Sequence, residues 1–166
     1  MGLNAPFSNP VTVKGPSAGS PAVLIYSAST AIGIFAVELL RLARTPSGQR
    51  YRIFATASPK HHAKLLTNGV EAAFDYRSKN WIDDVRQASG GISAAFDCIS
   101  LGDSTAQISK TFVESGGTIA VIRKGSWNQD GIKQGVNAIY SAVWFGLGHE
   151  LMHQGMYRTS RVSRYH

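Results

Sequence analysis

The chain has 166 residues, of which 43% are hydrophobic and 16% charged, and its formal net charge is +7. This composition is typical of a globular chain with a core and excludes a disordered segment. No apolar run reaches the roughly 20 residues that cross a bilayer. The first ten residues also lack the charged start and apolar middle of a secretory signal. We therefore expect no membrane partner.

The single cysteine and the distribution of charge indicate which compartment and which partners to expect. Cys98 is the single cysteine, which excludes an internal disulfide and fits a reducing compartment such as the cytoplasm. Arg158, Arg161 and Arg164 concentrate positive charge near the end, and we interpret residues 146–166 as an atypical basic tail. A basic tail can contact phosphates, but no nucleic-acid recognition motif accompanies this one. We expect no nucleic-acid partner.

The first recognisable unit of structure follows a proline-rich segment. Residues 1–21 carry four prolines and no periodicity, which predicts a linker that leads into a domain over residues 22–145. Residues 22–26 form a continuous apolar run, typical of a strand buried on both faces of a parallel sheet. A turn of small residues follows. The next apolar residues have helical spacing, and one helix face is predicted to carry Ile32, Phe35, Ala36, Leu39 and Ala43.

The turn between this strand and helix resembles a degenerate dinucleotide-binding fingerprint. The three glycine positions of G-x-G-x-x-G fall on Ala28, Thr30 and Gly33, so only the third glycine is present. Thr30 adds a side chain where a phosphate approaches, together with a hydroxyl that could donate to it. The alternative is an ordinary strand–turn–helix unit with Ser29 or Thr30 as its N-cap. These residues alone leave both interpretations open.

Strand and helix patterns then alternate with short loops. Further strands are predicted over residues 51–56, 72–76, 94–99, 118–122 and 136–143, and helices over 58–68, 79–88 and from 103 or 104 to 113. This alternation predicts an α/β fold, a Rossmann-type doubly wound parallel sheet of about six strands with helices on both faces. Ligands of such sheets bind at the carboxyl ends of the strands. The candidate contacts there are Ser29, Thr30, Ser58, Lys60, Tyr76, Ser100 and Arg123.

The segment after the second strand indicates which dinucleotide to expect. Domains that bind NAD usually place an acid there for the ribose hydroxyls. Residues 56–62 contain no acid but offer Ser58, Lys60 and two histidines. An acid would repel the adenosine 2′-phosphate, whereas a hydroxyl and a cation would bind it, so the segment favours NADP. Ser58 could instead simply cap a helix that begins at Pro59, and both roles are compatible.

With these motifs in place, the chain resembles the medium-chain dehydrogenase/reductase superfamily, above all fungal trans-acting enoyl reductases and related quinone-reductase-like, zinc-independent enzymes. The resembling segments are V-L-I-Y-S-A-S-T-A-I-G at 23–33, T-A-S-P-K at 56–60, A-F-D-Y-R at 73–77, A-A-F-D-C-I-S at 94–100 and G-G-T-I-A-V-I at 116–122. The resemblance implies that the pyrophosphate lies on Ser29, Thr30, Ala31, Ile32 and Gly33. It further implies that the 2′-phosphate lies on Ser58, Lys60 and His61, and that Tyr76 lies on the adenosine side.

The resemblance also implies an activity. Full members of the family use NADPH to reduce an activated carbon–carbon double bond, with an enoyl thioester or a quinone as the small-molecule substrate. They carry a separate substrate domain that this sequence lacks, so we expect a truncated cofactor-binding domain that does not catalyse alone. A non-catalytic dinucleotide-binding module is the alternative. No catalytic residue is assigned, although Tyr140 and His149 are the nearest candidates for a proton donor. Loss of the covering domain further predicts self-association as a homo-oligomer.

Other motifs carry weaker hypotheses. His149-Glu150-Leu151-Met152-His153 matches H-E-x-x-H, which on a helix would place two histidines and a glutamate as in a zinc hydrolase. Only His166 could complete the ligand set, so a zinc hydrolase is kept as a remote alternative and no metal site is predicted. Cys98 is predicted to be an inert buried residue. Asp97 beside it either orients a loop or serves the fold.

Overall fold

The computed structural model describes residues 19–123, 125–140, 151–153 and 156–158. The described strands are β1 (Ala22–Tyr26), β2 (Arg52–Thr56), β3 (Ala72–Phe74), β4 (Ala94–Asp97), β5 (Gly117–Val121), β6 (Val136–Tyr140), β7 (Leu151–His153) and β8 (Met156–Arg158). The helices are α1 (Ala31–Leu42), α2 (His62–Thr67), α3 (Trp81–Ser89) and α4 (Ser104–Ser109), and a short 3-10 turn (Pro59–His61) precedes α2.

Six strands form one parallel sheet in the order β3-β2-β1-β4-β5-β6. The chain first moves outward from β1 to β3, then returns to the other side of β1 with β4, so the strand order reverses between β1 and β4. In open sheets of this kind, the crevice at that reversal point is where ligands bind. The predicted Rossmann-type fold is confirmed. β7 and β8 form a separate antiparallel pair.

The two faces of the sheet carry separate apolar clusters because each strand sends alternate side chains to opposite sides. On one face, Trp81 and Val85 of α3 and Ile108 of α4 pack over the sheet around Leu24 and Ile119. On the other face, α1 and α2 pack through small and aliphatic residues, and the cluster contains Val23, Ile25, Val37, Ile53 and Leu65. This arrangement gives helices on both faces, as predicted.

The face of α1 that carries its large apolar residues does not meet the sheet. Gly33 and Val37 are buried against the sheet, whereas Ile32, Phe35 and Leu39 are 44%, 70% and 64% exposed. The helix therefore lies on the sheet through its smallest residues. Its large apolar residues face an open groove of about 450 Å³, lined by Val23, Ile25, Ile32, Phe35, Ala36, Leu39, Leu40, Ala95 and Phe96.

The uncovered surface continues across the same face of the sheet. The register pairs Ile25 with Phe96, Phe96 with Ala120, and Ala120 with Ile139, so these residues form one row on the side of α1. Ile139 at the end of the row is 50% exposed. Within the described residues, α1 and α2 cover the β1 side of this face and leave its β6 side open.

Several predicted elements end early for local reasons. β4 ends at Asp97 because its carboxylate accepts the backbone N–H groups of Ile99 and Ser100 and turns the chain. α4 ends at Ser109, and the hydroxyls of Ser109 and Thr111 bond to nearby backbone carbonyls in competition with further helix. The end predicted for the sixth strand, residues 141–143, lies outside the described residues.

Replacing Gly33 with alanine should destabilise the fold, although alanine favours helices by about 1 kcal/mol. A Cβ at position 33 would lie 2.6 Å from Ala28 Cα and 2.7 Å from the Ser27 carbonyl oxygen. Overpacking against backbone costs about 1–3 kcal/mol, so we expect Gly33→Ala to lower the free energy of unfolding in urea. Glu38→Ala, which removes only a solvent-exposed ion pair of α1, is the control. A Gly33→Ala chain as stable as the wild type would contradict the close contact.

Candidate functional site

The carboxyl ends of the central strands form one continuous site region. The turn after β1 is bound to the end of β2, since Ser27 N–H donates to Thr56 Oγ1 over 3.0 Å and Ala28 N–H donates to the Thr56 carbonyl over 2.9 Å. The loops after β4 and β5 are joined because Ile122 N–H donates to Ser100 Oγ over 2.9 Å. The fold therefore brings the predicted residues of the first strand end close to the second, and those of the fourth close to the fifth.

The turn after β1 is closed by bonds within the turn itself. Its left-handed residue is Ser27, with φ at 62°. Thr30 is the N-cap of α1: its Oγ1 accepts from Gly33 N–H over 3.1 Å and donates to the Ser27 carbonyl over 2.9 Å. The proton of the Thr30 hydroxyl is thus already committed within the turn. The N-cap interpretation of Thr30 therefore holds in this structure, and the contact of its hydroxyl with a phosphate stays a prediction.

The start of α1 still has the features of an anion site. The first amides of a helix have no intrahelical partner, and here these belong to Ala31 and Ile32, both exposed residues. No acidic residue lies in the first turn of this helix. The backbone N–H groups and the positive end of the helix dipole therefore point towards the crevice together.

The segment after β2 presents a group of polar and basic side chains beside that turn. Ser58 precedes the 3-10 turn, and its side chain makes no capping hydrogen bond. His61 and Lys64 line a cavity of about 120 Å³ with Ser29, and Lys60 is exposed nearby in sequence. The lining of this cavity is the residue set Ser29, Ile34, His61, Lys64, Leu65 and Asn68.

Lys64 was not predicted as a site residue, although its position four residues after Lys60 in the predicted helix was a usable signal. His62, by contrast, is occupied: its Nε2 lies 2.9 Å from the Ala57 carbonyl, so that nitrogen donates its proton there. The basic side chains near the crevice at this strand end are therefore the cations Lys60 and Lys64 and the imidazole of His61.

Tyr76 lies in the turn after β3 and not on a strand as predicted. Its ring meets Tyr26 edge-on with centroids 6.3 Å apart, and the Arg77 guanidinium lies 5.7 Å from the ring centre. Asp75 pairs with Arg77 over 3.0 Å, and this hydrogen bond holds the pKa of Asp75 below its usual value. The acid nearest to Tyr76 in sequence is thus matched by a cation.

Two buried groups at the strand ends remain protonated. Burial, followed by the charge of Asp97, raises the pKa of the Cys98 thiol to about 12. Burial, then Asp97 and Tyr76, also raises the pKa of Tyr26 to about 12. Because a thiol reacts as its thiolate, Cys98 is inert at neutral pH.

The zinc-hydrolase motif does not form the helix it would need. Leu151–His153 is a strand paired antiparallel with Met156–Arg158, whereas His149 and Glu150 lie outside the described residues. Among the residues that the structure describes, no three His, Cys, Asp or Glu side chains are grouped so as to hold a metal ion. Within the same part of the chain, no helix has the length and apolar character needed to cross a bilayer.

The strand order and the helix that begins at the turn after β1 define the class: a Rossmann-type α/β domain of the kind that binds dinucleotides. No protein-family model matches the sequence. Homologues are fungal trans-enoyl reductases. One, mycC of Thermothelomyces thermophilus, is 30% identical over 151 residues, which are 90% of this chain and 39% of that protein. Another, gkaC of Penicillium citrinum, is 39% identical over 100 residues, 58% of this chain and 25% of that protein.

Solved structures show the same fold. The CurK enoyl reductase superposes with a TM-score of 0.62 at 22% identity, over 80% of this chain and 39% of that one. A putative NADPH:quinone reductase from Bacillus thuringiensis gives 0.62 at 19% identity, over 77% of this chain and 39% of that one. Together with the fungal homologues, these structures confirm the predicted resemblance to the medium-chain dehydrogenase/reductase superfamily. The chain spans well under half the length of these relatives.

The raised pKa values of Cys98 and Tyr26 predict loss of stability in alkali. The unfolded chain releases these protons near the ordinary pKa values of 9.0 and 10.0, whereas the folded chain retains them to about 12. The unfolded state then binds fewer protons, so the free energy of unfolding falls as pH rises from about 9 to 12. Urea unfolding at stepped pH measures this fall, and Cys98→Ala should make it shallower. A stability that is constant up to pH 11 would contradict both shifts.

Proposed function

We propose that this chain binds NADPH and forms the cofactor-binding part of an oxidoreductase that transfers hydride to an activated carbon–carbon double bond. The observation that carries the proposal is the start of α1, where exposed amides without an acidic neighbour lie beside a cavity shared by Ser29, His61 and Lys64. In this proposal the pyrophosphate lies against the amides of Ala31 and Ile32, and Gly33 allows the helix to approach the turn. The binding unit is the predicted domain, residues 22–145.

The adenosine 2′-phosphate is assigned to the segment after β2. Ser58 supplies a hydroxyl that is not used for capping, Lys60 and Lys64 supply positive charge, and His61 supplies an imidazole N–H. No carboxylate occurs in residues 56–62 to repel the phosphate. Tyr76, half-open to solvent and braced by Tyr26, offers a ring face for the adenosine.

Bound NADPH supplies a hydride, and the chain's own residues would hold and orient it. The loops after β4 and β5 form the wall on the far side of the crevice from Tyr76. Close approach of a substrate to the nicotinamide, within about 3–3.5 Å, requires a second wall that excludes water. We assign that wall to the portion of the longer relatives outside the match. The substrate is then a small enoyl thioester or quinone.

The alternative is a module that binds the dinucleotide without catalysis. The two functions differ in turnover: a binding module takes up NADPH but does not oxidise it with enoyl thioesters or quinones, even when the missing part of a longer relative is added as a separate chain. Absorbance of NADPH, followed with a panel of both substrate types, decides between them. We expect residues 1–166 alone to give no rate above background.

Cofactor preference is the direct test of the proposed site. A charge-assisted contact with a phosphate is worth roughly 1.5–3 kcal/mol, so NADPH should bind about ten- to a hundredfold more tightly than NADH. Calorimetric titration of the wild-type chain with both cofactors measures the ratio. Equal affinities, or a preference for NADH, would contradict the assignment of the 2′-phosphate to the segment after β2.

Matched variants locate that preference. Lys60→Ala and Ser58→Ala should lower NADPH affinity and leave NADH affinity nearly unchanged, because NADH lacks the phosphate that these residues are proposed to meet. Lys110→Ala removes another exposed lysine, just past the end of α4, and is the control. A loss of NADPH affinity in Lys110→Ala equal to that in Lys60→Ala would show a general charge effect instead of a site.

Self-association is proposed from the open face of the sheet. The exposed side chains of Phe35 and Leu39 and the groove beneath them expose a contiguous apolar surface, and such surfaces usually pair. We expect sedimentation to show dimers or larger species at high concentration and Leu39→Lys to shift them towards monomer. Leu66→Lys, at an exposed position on α2, is the control. A monomeric wild-type chain would contradict the proposal.

A further inference from the structure

A buried carboxylate lies at the end of β4, beside the crevice. Asp97 is fully buried, and its Oδ1 accepts the backbone N–H groups of Ile99 over 3.1 Å and Ser100 over 2.8 Å. Its Oδ2 accepts the hydroxyls of Ser104 over 2.6 Å and Thr105 over 3.0 Å. Among the described residues no cation pairs with it, so hydrogen bonds alone offset the cost of burying the carboxylate.

These bonds fix the shape of the loop after β4. Ser100 is fully buried and has φ at +50°, a left-handed conformation that is uncommon for serine. Its Oγ donates to the Asp97 carbonyl over 2.9 Å and accepts Ile122 N–H over 2.9 Å. One hydroxyl therefore connects the end of β4 with the residue that follows β5.

A second set of bonds joins the same two loops farther out. Gly102 N–H donates to the Ser126 carbonyl over 3.1 Å, and Asn128 N–H donates to the Gly102 carbonyl over 2.8 Å. The loops after β4 and β5 are thus joined at two places, through Ser100 and through Gly102. In the strand order, these loops lie on the other side of the reversal point from β2 and β3, where the adenosine is assigned.

We propose that Asp97 and Ser100 are positioning residues for the nicotinamide half of the cofactor: together they hold the loops after β4 and β5 as one wall of the crevice. The inference rests on the proposed cofactor function. In this inference, buried groups orient the nicotinamide half, whereas the exposed side chains on the adenosine side contact the cofactor directly. Neither residue needs to touch the cofactor, because each acts through the backbone it holds.

The chain supplies a matched control for Ser100. Ser109 is also fully buried, its Oγ donates to the Ala106 carbonyl over 2.6 Å, and it accepts Lys133 N–H over 2.9 Å. The two serines therefore make the same pair of bonds, a carbonyl three residues earlier and a distant backbone amide. Ser109 lies at the far end of α4 from the loop that Ser104 and Thr105 adjoin. Ser100→Ala and Ser109→Ala should cost similar stability.

The experiment measures two ligands on the whole chain by calorimetry: NADPH, and adenosine 2′,5′-bisphosphate, which lacks the nicotinamide half. A single hydrogen bond is worth about fivefold in an equilibrium. We expect Ser100→Ala to weaken NADPH binding by about that factor and to leave the bisphosphate affinity unchanged, while Ser109→Ala changes neither. Asp97→Asn keeps the shape of the side chain but replaces one accepting oxygen with a donating NH2 group. We expect it to change the two affinities in the same way as Ser100→Ala.

Other outcomes overturn the inference. Unchanged NADPH affinity in Ser100→Ala, an equal loss for both ligands, or an equal loss in Ser109→Ala would each show that the bonds serve only the fold. If the wild-type chain bound neither ligand, the proposed function would fail separately. Hydrogen exchange would then test whether Ser100 joins the loops after β4 and β5. Faster exchange of the Ile122 amide in Ser100→Ala but not in Ser109→Ala would support this role, and unchanged exchange would refute it.

Discussion

The close contact between α1 and the turn after β1 is the constraint on which the rest of the structure depends. Gly33 allows the helix backbone to lie against Ala28 and the Ser27 carbonyl, where any Cβ would clash. That contact sets the tilt of α1, brings its first amides to the crevice, and leaves its large apolar residues outside. The same glycine therefore determines both the candidate anion site and the open groove.

The sequence predicted the fold well because its information is local and repeated. Each buried strand is a short apolar run, and each turn carries glycine, proline or serine, so alternation alone led to the parallel sheet. The orientation of α1 was not predictable in the same way. Periodicity identifies which residues share a face, but Ile32, Phe35 and Leu39 are larger and more apolar than Gly33 and Val37, and only the steric contact at Gly33 reveals which face meets the sheet.

The site was predicted by position more reliably than by role. The carboxyl ends of parallel strands lie at the same edge of the sheet, so the residues after β1, β2, β4 and β5 had to lie there. The role of Thr30 depends on where its proton goes, and the neighbouring Ser27 carbonyl, available because Ser27 is left-handed, takes it. No sequence signal indicates that conformation. Asp97 was left between two roles for the same reason, since its four donors converge only in the folded chain.

The side chains on the two sides of the crevice differ in burial. This difference determines what a substitution on each side costs in stability. Ser58, Lys60, His61 and Lys64 are exposed or half-buried and carry little of the fold, so substitutions there alter charge at small cost in stability. Asp97, Ser100 and Thr105 are fully buried and mutually bonded, so removing one leaves another polar group unsatisfied. The choice between dinucleotides is thus open to change at the surface, whereas the geometry of the opposite wall is tied to the stability of the sheet itself.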